Sequence, residues 1–208
     1  MEHSNSIHIY LIRHGMTAYN AQKKYLGHRD EPVLQDQLQG YENLRKHVKK
    51  VKFDIIYSSD LLRCRQTAAY MFEGESVYFD RRIREIDFGD WEGKTYEQLK
   101  QNPAYCKWLS DWEIECIPNG ESWRGFQFRI NKFMDDQILL DEYKGKTIAI
   151  VSHGGVIRQI VSRLSEHLKF WDITVEFGKA IVMEIKSTGG DFICKSLSEV
   201  PIVENANL

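Results

Sequence analysis

Ile7–Asn20, IHIYLIRHGMTAYN, is the stretch from which the rest of the chain is read. Its first part, Ile7, Ile9, Tyr10, Leu11 and Ile12, is apolar and rich in β-branched and aromatic residues, which predicts a buried strand. The strand stops at Arg13, His14 and Gly15, three residues that a strand interior does not favour. A cation and an imidazole at the end of a buried strand, followed by a glycine that lets the backbone turn, read as a site rather than as core. Ligands of open α/β sheets lie beyond the carboxyl ends of the strands, and these residues fall there.

A second stretch repeats the design. Lys146–Ser152, KTIAIVS, is the clearest buried strand and runs into His153-Gly154-Gly155 and an amphipathic helix, Val156–Leu164. If both strands share one parallel sheet, His14 and His153 emerge at the same edge. Arg63 lies in the first turn of a helix, LLRCRQTAAYMF, that follows another strand, Phe53–Tyr57, and the cluster Ser58-Ser59-Asp60 is expected to cap it. Two arginines, a helix N-terminus and two histidines favour a dianion such as a phosphoryl group. Such a pocket also needs a proton donor for the leaving oxygen. RRIREIDFGDWEG offers Glu85, Asp87, Asp90 and Glu92, and spacing alone does not choose among them.

The intervening chain alternates strand and helix. A polar loop is expected over Ala21–Val33, a helix over Asp36–Val51, and a third strand at Val77–Phe79. Short helices follow at Thr95–Gln101 and at Pro103–Trp112, with proline in the first turn of the latter, then a longer helix from Ser122 to about Leu140. Ala180–Ile185 and Asp191–Leu197 read as strands joined at Thr188-Gly189-Gly190 as a hairpin. The simplest architecture is α/β: a three-layer α/β/α sandwich on a mainly parallel sheet.

At 208 residues, with 42% hydrophobic and 28% charged residues, the chain suits one domain over residues 1–208 with a buried core. A net charge of -2 predicts no general attraction to nucleic acid or to anionic membrane. No apolar run approaches the roughly 20 residues that cross a bilayer. MEHSNSIHIYLI has neither a basic leader nor a small-residue cleavage site, so no secretion signal is expected. Cys64, Cys106, Cys116 and Cys194 are scattered without CxxC spacing, which favours reduced thiols in the cytoplasm. None of the seven histidines is spaced as HxH or HxxxH, and Arg13 beside His14 would repel a divalent cation, so no metal and no cofactor is expected.

The chain resembles the histidine phosphatase superfamily, the phosphoglycerate mutase-like group. LIRHGMTAYN resembles its RHG signature, YSSDLLRCRQTA its second motif, REIDFGDWEG its third and VSHGG its last, in the family's order from about residue 9 to residue 155. The resemblance implies His14 as the nucleophile that becomes phosphohistidine, and Arg13, Arg63 and His153 as the holders of the phosphoryl oxygens. It implies Glu85 as general acid, with Asn20 and backbone near Gly27 and Gly154 completing the pocket, and a small phosphomonoester as substrate. EIDFGDWEGKTYEQL, YLGHRDEPV and PNGES resemble the phosphatase branch, particularly alpha-ribazole phosphatases and broad-specificity phosphatases. Cofactor-dependent mutases carry an adjacent arginine pair after the third motif, whereas here only Arg124 and Arg129 stand between Glu85 and Lys132. Phosphoglycerate mutase activity and a weakly active phosphate-binding scaffold are the alternatives. The segment of about 94–123 is expected to form a lid. Its Tyr96, Tyr105, Trp108, Trp112 and Trp123 are expected to pack helices onto the core, or else to line an apolar wall for an aromatic leaving group. His28 and Arg29 are candidates for contacting that group. Oligomeric state is left open, between monomer and homodimer.

Overall fold

The computed structural model describes residues 6–188 and 191–201. In chain order these residues form β1 (Ser6–Arg13), α1 (Ala18–Ala21), α2 (Glu42–Val48), β2 (Ile55–Ser58), α3 (Leu62–Met71) and β3 (Tyr78–Phe79). There follow α4 (Tyr96–Leu99), α5 (Pro103–Ser110), α6 (Trp123–Gln137), β4 (Thr147–Ser152), α7 (Gly154–Leu164), β5 (Ala180–Thr188) and β6 (Asp191–Val200). The strands form one sheet in the order β3-β2-β4-β1-β5-β6. β1 to β4 are mutually parallel, and β5 and β6 are added antiparallel at the β1 edge.

Central strands carry apolar residues on both faces because helices cover both. In β1, Ile7, Ile9 and Leu11 enter the core shared with α6 and α7, while Ile12 enters the core shared with α2 and α3. β4 divides in the same way, Ile148 and Ile150 against Ala149 and Val151. Each isoleucine, leucine or valine among these, fully withdrawn from water, contributes about 1.5–3 kcal/mol. The α/β/α sandwich is therefore the observed fold. Among the described residues, no helix is long and apolar enough to cross a membrane.

Several boundaries differ from the sequence expectation. The helix expected over Asp36–Val51 is a 3-10 turn at Gln35–Tyr41 followed by α2, with Gly40 at the junction. The last helix begins at Gly154, two residues earlier than expected, and Ala18–Ala21 adds a short helix before the polar loop. The terminal strands run longer, to Thr188 and Val200, and the Gly189-Gly190 turn lies outside the described residues. The cap of α3 is a correction. Leu61 stands at its N-cap without a side-chain bond, and Asp30 in the polar loop takes the Leu62 N–H at 2.6 Å. Asp60 is drawn off by Arg84, 2.5 Å away, and Ser58 Oγ donates to the Ser59 carbonyl. Ser59 Oγ, besides meeting His153, takes only the N–H of the N-cap residue Leu61 at 3.4 Å, none of the helix's own.

Candidate active site

Register brings the two matched motifs together. Arg13 pairs with Ser152 at the carboxyl ends of β1 and β4, and the His14 N–H donates to the Ser152 carbonyl at 2.9 Å. The next residues, His14 and His153, therefore meet with ring centroids 5.1 Å apart, edge to face. The connection after β1 leads to α2 on one face of the sheet, and that after β4 to α7 on the other. The crevice between these adjacent strands is where such sheets bind ligands. The Tyr41 hydroxyl lies 2.9 and 2.8 Å from the carbonyls of Arg13 and His14, and Gly15 N–H donates to Thr67 Oγ1 at 2.8 Å, so the turn is fixed from both sides.

His14 is buried and its tautomer follows from its partner. Nδ1 lies 2.7 Å from the Gly15 carbonyl, which can only accept, so Nδ1 carries the proton and Nε2 presents a lone pair. Burial first, then the charges of Arg63 and Arg13, holds its pKa well below the ordinary imidazole value. The ring is neutral, with the Nε2 lone pair unprotonated.

Arg13 donates through Nη1 to the Val175 carbonyl at 3.0 Å and lies over the Phe177 ring at 3.9 Å. Its buried Nε has no hydrogen-bond partner among the described residues. A free guanidinium donor beside a neutral imidazole suits an anionic oxygen. Gly154, at the start of α7, packs against this guanidinium, 3.7 Å from a Cβ position to Arg13 Cζ. Arg63 is wholly buried on α3. Its Nη2 donates to the Gly27 carbonyl at 2.7 Å, Nη1 to the Arg29 carbonyl at 2.9 Å and Nε to His153 Nδ1 at 3.2 Å. In this conformation Arg63 gives the site its charge and clamps the loop at Gly27 and Arg29, while its donors end on protein acceptors.

The tautomer of His153 follows in turn. Arginine can only donate, so Nδ1 accepts and the proton sits on Nε2, which lies 2.9 Å from Ser59 Oγ. Cys64 Sγ stands behind the same nitrogen at 3.4 Å, its thiol pushed up to about 12 by burial, so it remains protonated. Burial, with Arg63 next, also pushes the pKa of His153 well down.

One of the four carboxylates reaches the crevice. Asp87 accepts from Gly89 N–H and faces His28, Asp90 accepts from Asn119, and Glu92 accepts from the backbone of His28 and Arg29. Glu85 instead accepts from Gly155 N–H at 3.0 Å, at the N-terminus of α7, and from Ile86 N–H at 3.0 Å. Gly155 is a glycine for a reason: a Cβ there would overlap Glu85 Oε1 and lie 3.2 Å from its Cδ. Gly27 is equally constrained, with a Cβ position 2.8 Å from Phe88 N. Asn20 sits in α1, its Oδ1 accepting from Thr17 N–H and hydroxyl at 3.2 and 3.0 Å in a capping box that braces the loop after Gly15.

Beside Glu85 and Gly155 opens a cavity of about 110 Å3, walled by Phe88, Trp108, Trp112, Trp123, Phe126 and Phe170, with Arg158 and Trp171 at its side. Tyr105, Trp108 and Trp123 belong to the core, as one sequence expectation held, and Trp108, Trp112 and Trp123 also face this cavity. His28 reaches the Glu85 carbonyl through Nε2 at 2.9 Å, and Arg29 pairs with Glu31 and lies over the Tyr19 ring. Sequence reasoning missed Ser59, Gly155, Arg158 and Phe177. The Gly-Gly doublet and the i, i+4 spacing of Arg158 from Gly154 signalled two of them, whereas nothing local marks Phe177. Among the described residues, no cluster of three His, Cys, Asp or Glu side chains is arranged to hold a metal ion.

A family model described as histidine phosphatase superfamily (branch 1) matches residues 9–199, and the chain belongs to that superfamily. It is a phosphatase of the histidine phosphatase type. Its similarity to named proteins runs through this class. It is 30% identical to an adenosylcobalamin/alpha-ribazole phosphatase of Salmonella typhimurium, over 82% of this chain and 86% of that one. It is 33% identical to phosphoglycerate mutase-like protein 4 of Arabidopsis thaliana, over 74% of this chain and 70% of that one. The solved alpha-ribazole phosphatase of Shigella flexneri superposes with a TM-score of 0.79 at 29% identity, covering 91% of this chain and 95% of that one.

Proposed function

We propose that this protein hydrolyses small phosphomonoesters without a metal, through a phosphohistidine on His14. The neutral Nε2 of His14 attacks phosphorus as the bond to the alcohol oxygen breaks, and Glu85 gives that oxygen its proton. Glu85, now a carboxylate, then takes a proton from water as the water attacks phosphorus, and the Nε2–P bond breaks to release phosphate and restore the neutral imidazole. Arg13 and Arg63 stabilise charge on the equatorial oxygens. His153, and backbone near Gly154 and Gly27 together with Asn20, complete the phosphate end. The observation that carries this reading is the bond from His14 Nδ1 to the Gly15 carbonyl, which leaves a buried, unprotonated Nε2 beside the free Nε–H of Arg13.

The substrate class is read from the other end. The aromatic cavity at Glu85 suits a leaving alcohol that carries one flat ring, and the relatives named as alpha-ribazole phosphatases make alpha-ribazole 5'-phosphate the first compound to assay. Residues 94–123 serve as a lid in this reading, supported by Trp108, Trp112 and Trp123 along the cavity. Hydrolysis is preferred to mutase chemistry because the Arg129 guanidinium is already engaged. It binds Glu121 at 2.7 Å and the carbonyls of Arg82, Arg84 and Glu85, so it is not free to grip a carboxylate together with Arg124.

The test is hydrolysis of p-nitrophenyl phosphate in EDTA by wild type and His14→Ala. Wild type is expected to turn over and to yield an acid-labile, base-stable phosphoenzyme on rapid quenching, and His14→Ala to do neither. Equal rates in the two would overturn the nucleophile, and wild-type activity lost in EDTA would overturn metal independence. Release of 2-phosphoglycerate from 3-phosphoglycerate faster than free phosphate would make the protein a mutase.

A further inference from the structure

The cavity at Glu85 is small. Small-molecule sites typically enclose roughly 300–1,000 Å3, whereas this one holds about 110 Å3, enough for little more than one ring. A second, larger cavity of about 590 Å3 lies against it. The two share four rings, Trp112, Trp123, Phe170 and Trp171, which form one contiguous cluster. Trp112 and Trp123 are 4.2 Å apart, Trp123 and Phe170 4.9 Å, and Phe170 and Trp171 4.9 Å. The partition between inner pocket and outer groove is therefore made of side chains, not of backbone.

The outer groove differs in character from the inner pocket. Gln127 on α6 and Gln159 and Ser162 on α7 give it polar lining, and Arg124 and Lys169 place two cations along it against a single acid, Glu113. Neither cation has an ion-pair partner among the described residues. Ile114 and Trp171 border the groove at 71% and 58% exposure, large apolar surfaces that a protein does not commonly leave in water beside a catalytic pocket. The Glu85 end accepts the ring, the partition gives that ring stacking surface, and the groove beyond offers unpaired positive charge.

We propose that the outer groove is the second half of the substrate site, and that it takes an anionic extension of the alcohol, a carboxylate or a phosphodiester, carried beyond the ring that the inner pocket holds. This rests on the reading of His14 and Glu85 as the phosphoryl-transfer centre. The physiological substrate is then an extended phosphomonoester with three parts: a terminal phosphate, a flat ring and a distal negative charge. Compact phosphomonoesters fill only the first two positions and depend on the inner pocket alone.

The test compares phenyl phosphate with phenyl phosphates bearing a para alkyl chain of increasing length that ends in a carboxylate, and with the neutral carboxamide of each. Wild type and the double variant Arg124→Glu/Lys169→Glu are assayed. Both residues are exposed, so the variant keeps the fold. Two partly solvated cations are expected to give about a five- to tenfold higher kcat/KM for the carboxylate than for the amide at one chain length. The gain is expected in KM, and to shrink as salt is added. In the variant the preference is lost or reversed while phenyl phosphate turnover stays the same. Carboxylate and amide hydrolysed alike at every length by wild type, or a preference that survives in the variant, would overturn the second half-site. Failure of wild type to hydrolyse phenyl phosphate at all would overturn the catalytic reading itself, and the two failures are thus distinct.

Discussion

Gly155→Ala separates the acid–base step from stability. The added methyl would stand where Glu85 Oε1 now lies, 3.2 Å from its Cδ and 3.3 Å from the Phe126 ring, so the carboxyl group must swing off the N-terminus of α7. It then loses the 3.0 Å bond from Gly155 N–H. A hydrogen bond to a charged acceptor contributes about 1.5–3 kcal/mol, so kcat/KM is expected to fall about 10- to 100-fold. Stability is expected to change by less than about 1 kcal/mol, because alanine favours the helix and Gly155 has no positive φ to relieve. The colliding atom, moreover, belongs to the free end of a flexible side chain. The assay is kcat/KM across aryl phosphates of graded leaving-group basicity and an alkyl phosphate, with urea unfolding in parallel. Protonation matters most for the poorest leaving groups, so the loss should grow from p-nitrophenyl phosphate to the alkyl ester. An equal loss on every ester, or undiminished activity on the alkyl ester, would refute Glu85 as the proton donor to the leaving oxygen.

Arg63→Ala removes the donors of two loop carbonyls and the partner of His153 from a wholly buried position. It is expected to cost about 2–4 kcal/mol in urea unfolding as well as activity, with limited proteolysis opening the chain near Gly27–Arg29. Ser59→Ala should lower kcat/KM several-fold while Ser59→Thr restores it, and 15N NMR of the wild type without ligand should find the His153 proton on Nε2; a proton on Nδ1 would contradict the geometry. His14 and His153 both have folded pKa values depressed below about 6.5, so the unfolded chain binds more protons beneath that pH. Their contribution to stability is complete above about pH 6.5 and is lost as pH falls through the folded values. Thermal unfolding from pH 8 to 5 should therefore show Tm declining below about 6.5, with a shallower decline in His14→Gln.

Local sequence determined more of this protein than its modest periodicities suggest. The double-faced apolar runs of β1 and β4 need helices on both sides, and that requirement alone imposes the three-layer architecture. The Arg-His-Gly and His-Gly-Gly endings were legible because a cation or imidazole at the end of a buried strand has a local cost that only a site offsets. The caps were less legible. Ser58-Ser59-Asp60 had the right composition to cap α3, yet Asp30, 32 residues away, does so, because Ser59 and Asp60 had stronger partners in His153 and Arg84.

Only tertiary structure chose among the acids of REIDFGDWEG by physical means. Glu85 differs from Asp87, Asp90 and Glu92 in meeting the N-terminus of a helix 70 residues later in the chain, a distinction absent from spacing. The same holds for the aromatic partition, whose four rings come from three segments, at Trp112, at Trp123 and at Phe170-Trp171, that are distant in the chain. Periodicity reports which face of an element is buried, since that is a property of consecutive residues. Which distant groups meet there depends on sheet order, and here the insertion of β4 between β2 and β1 brought His153, Gly155 and Arg158 to the end of the strand that carries Arg13 and leads to His14.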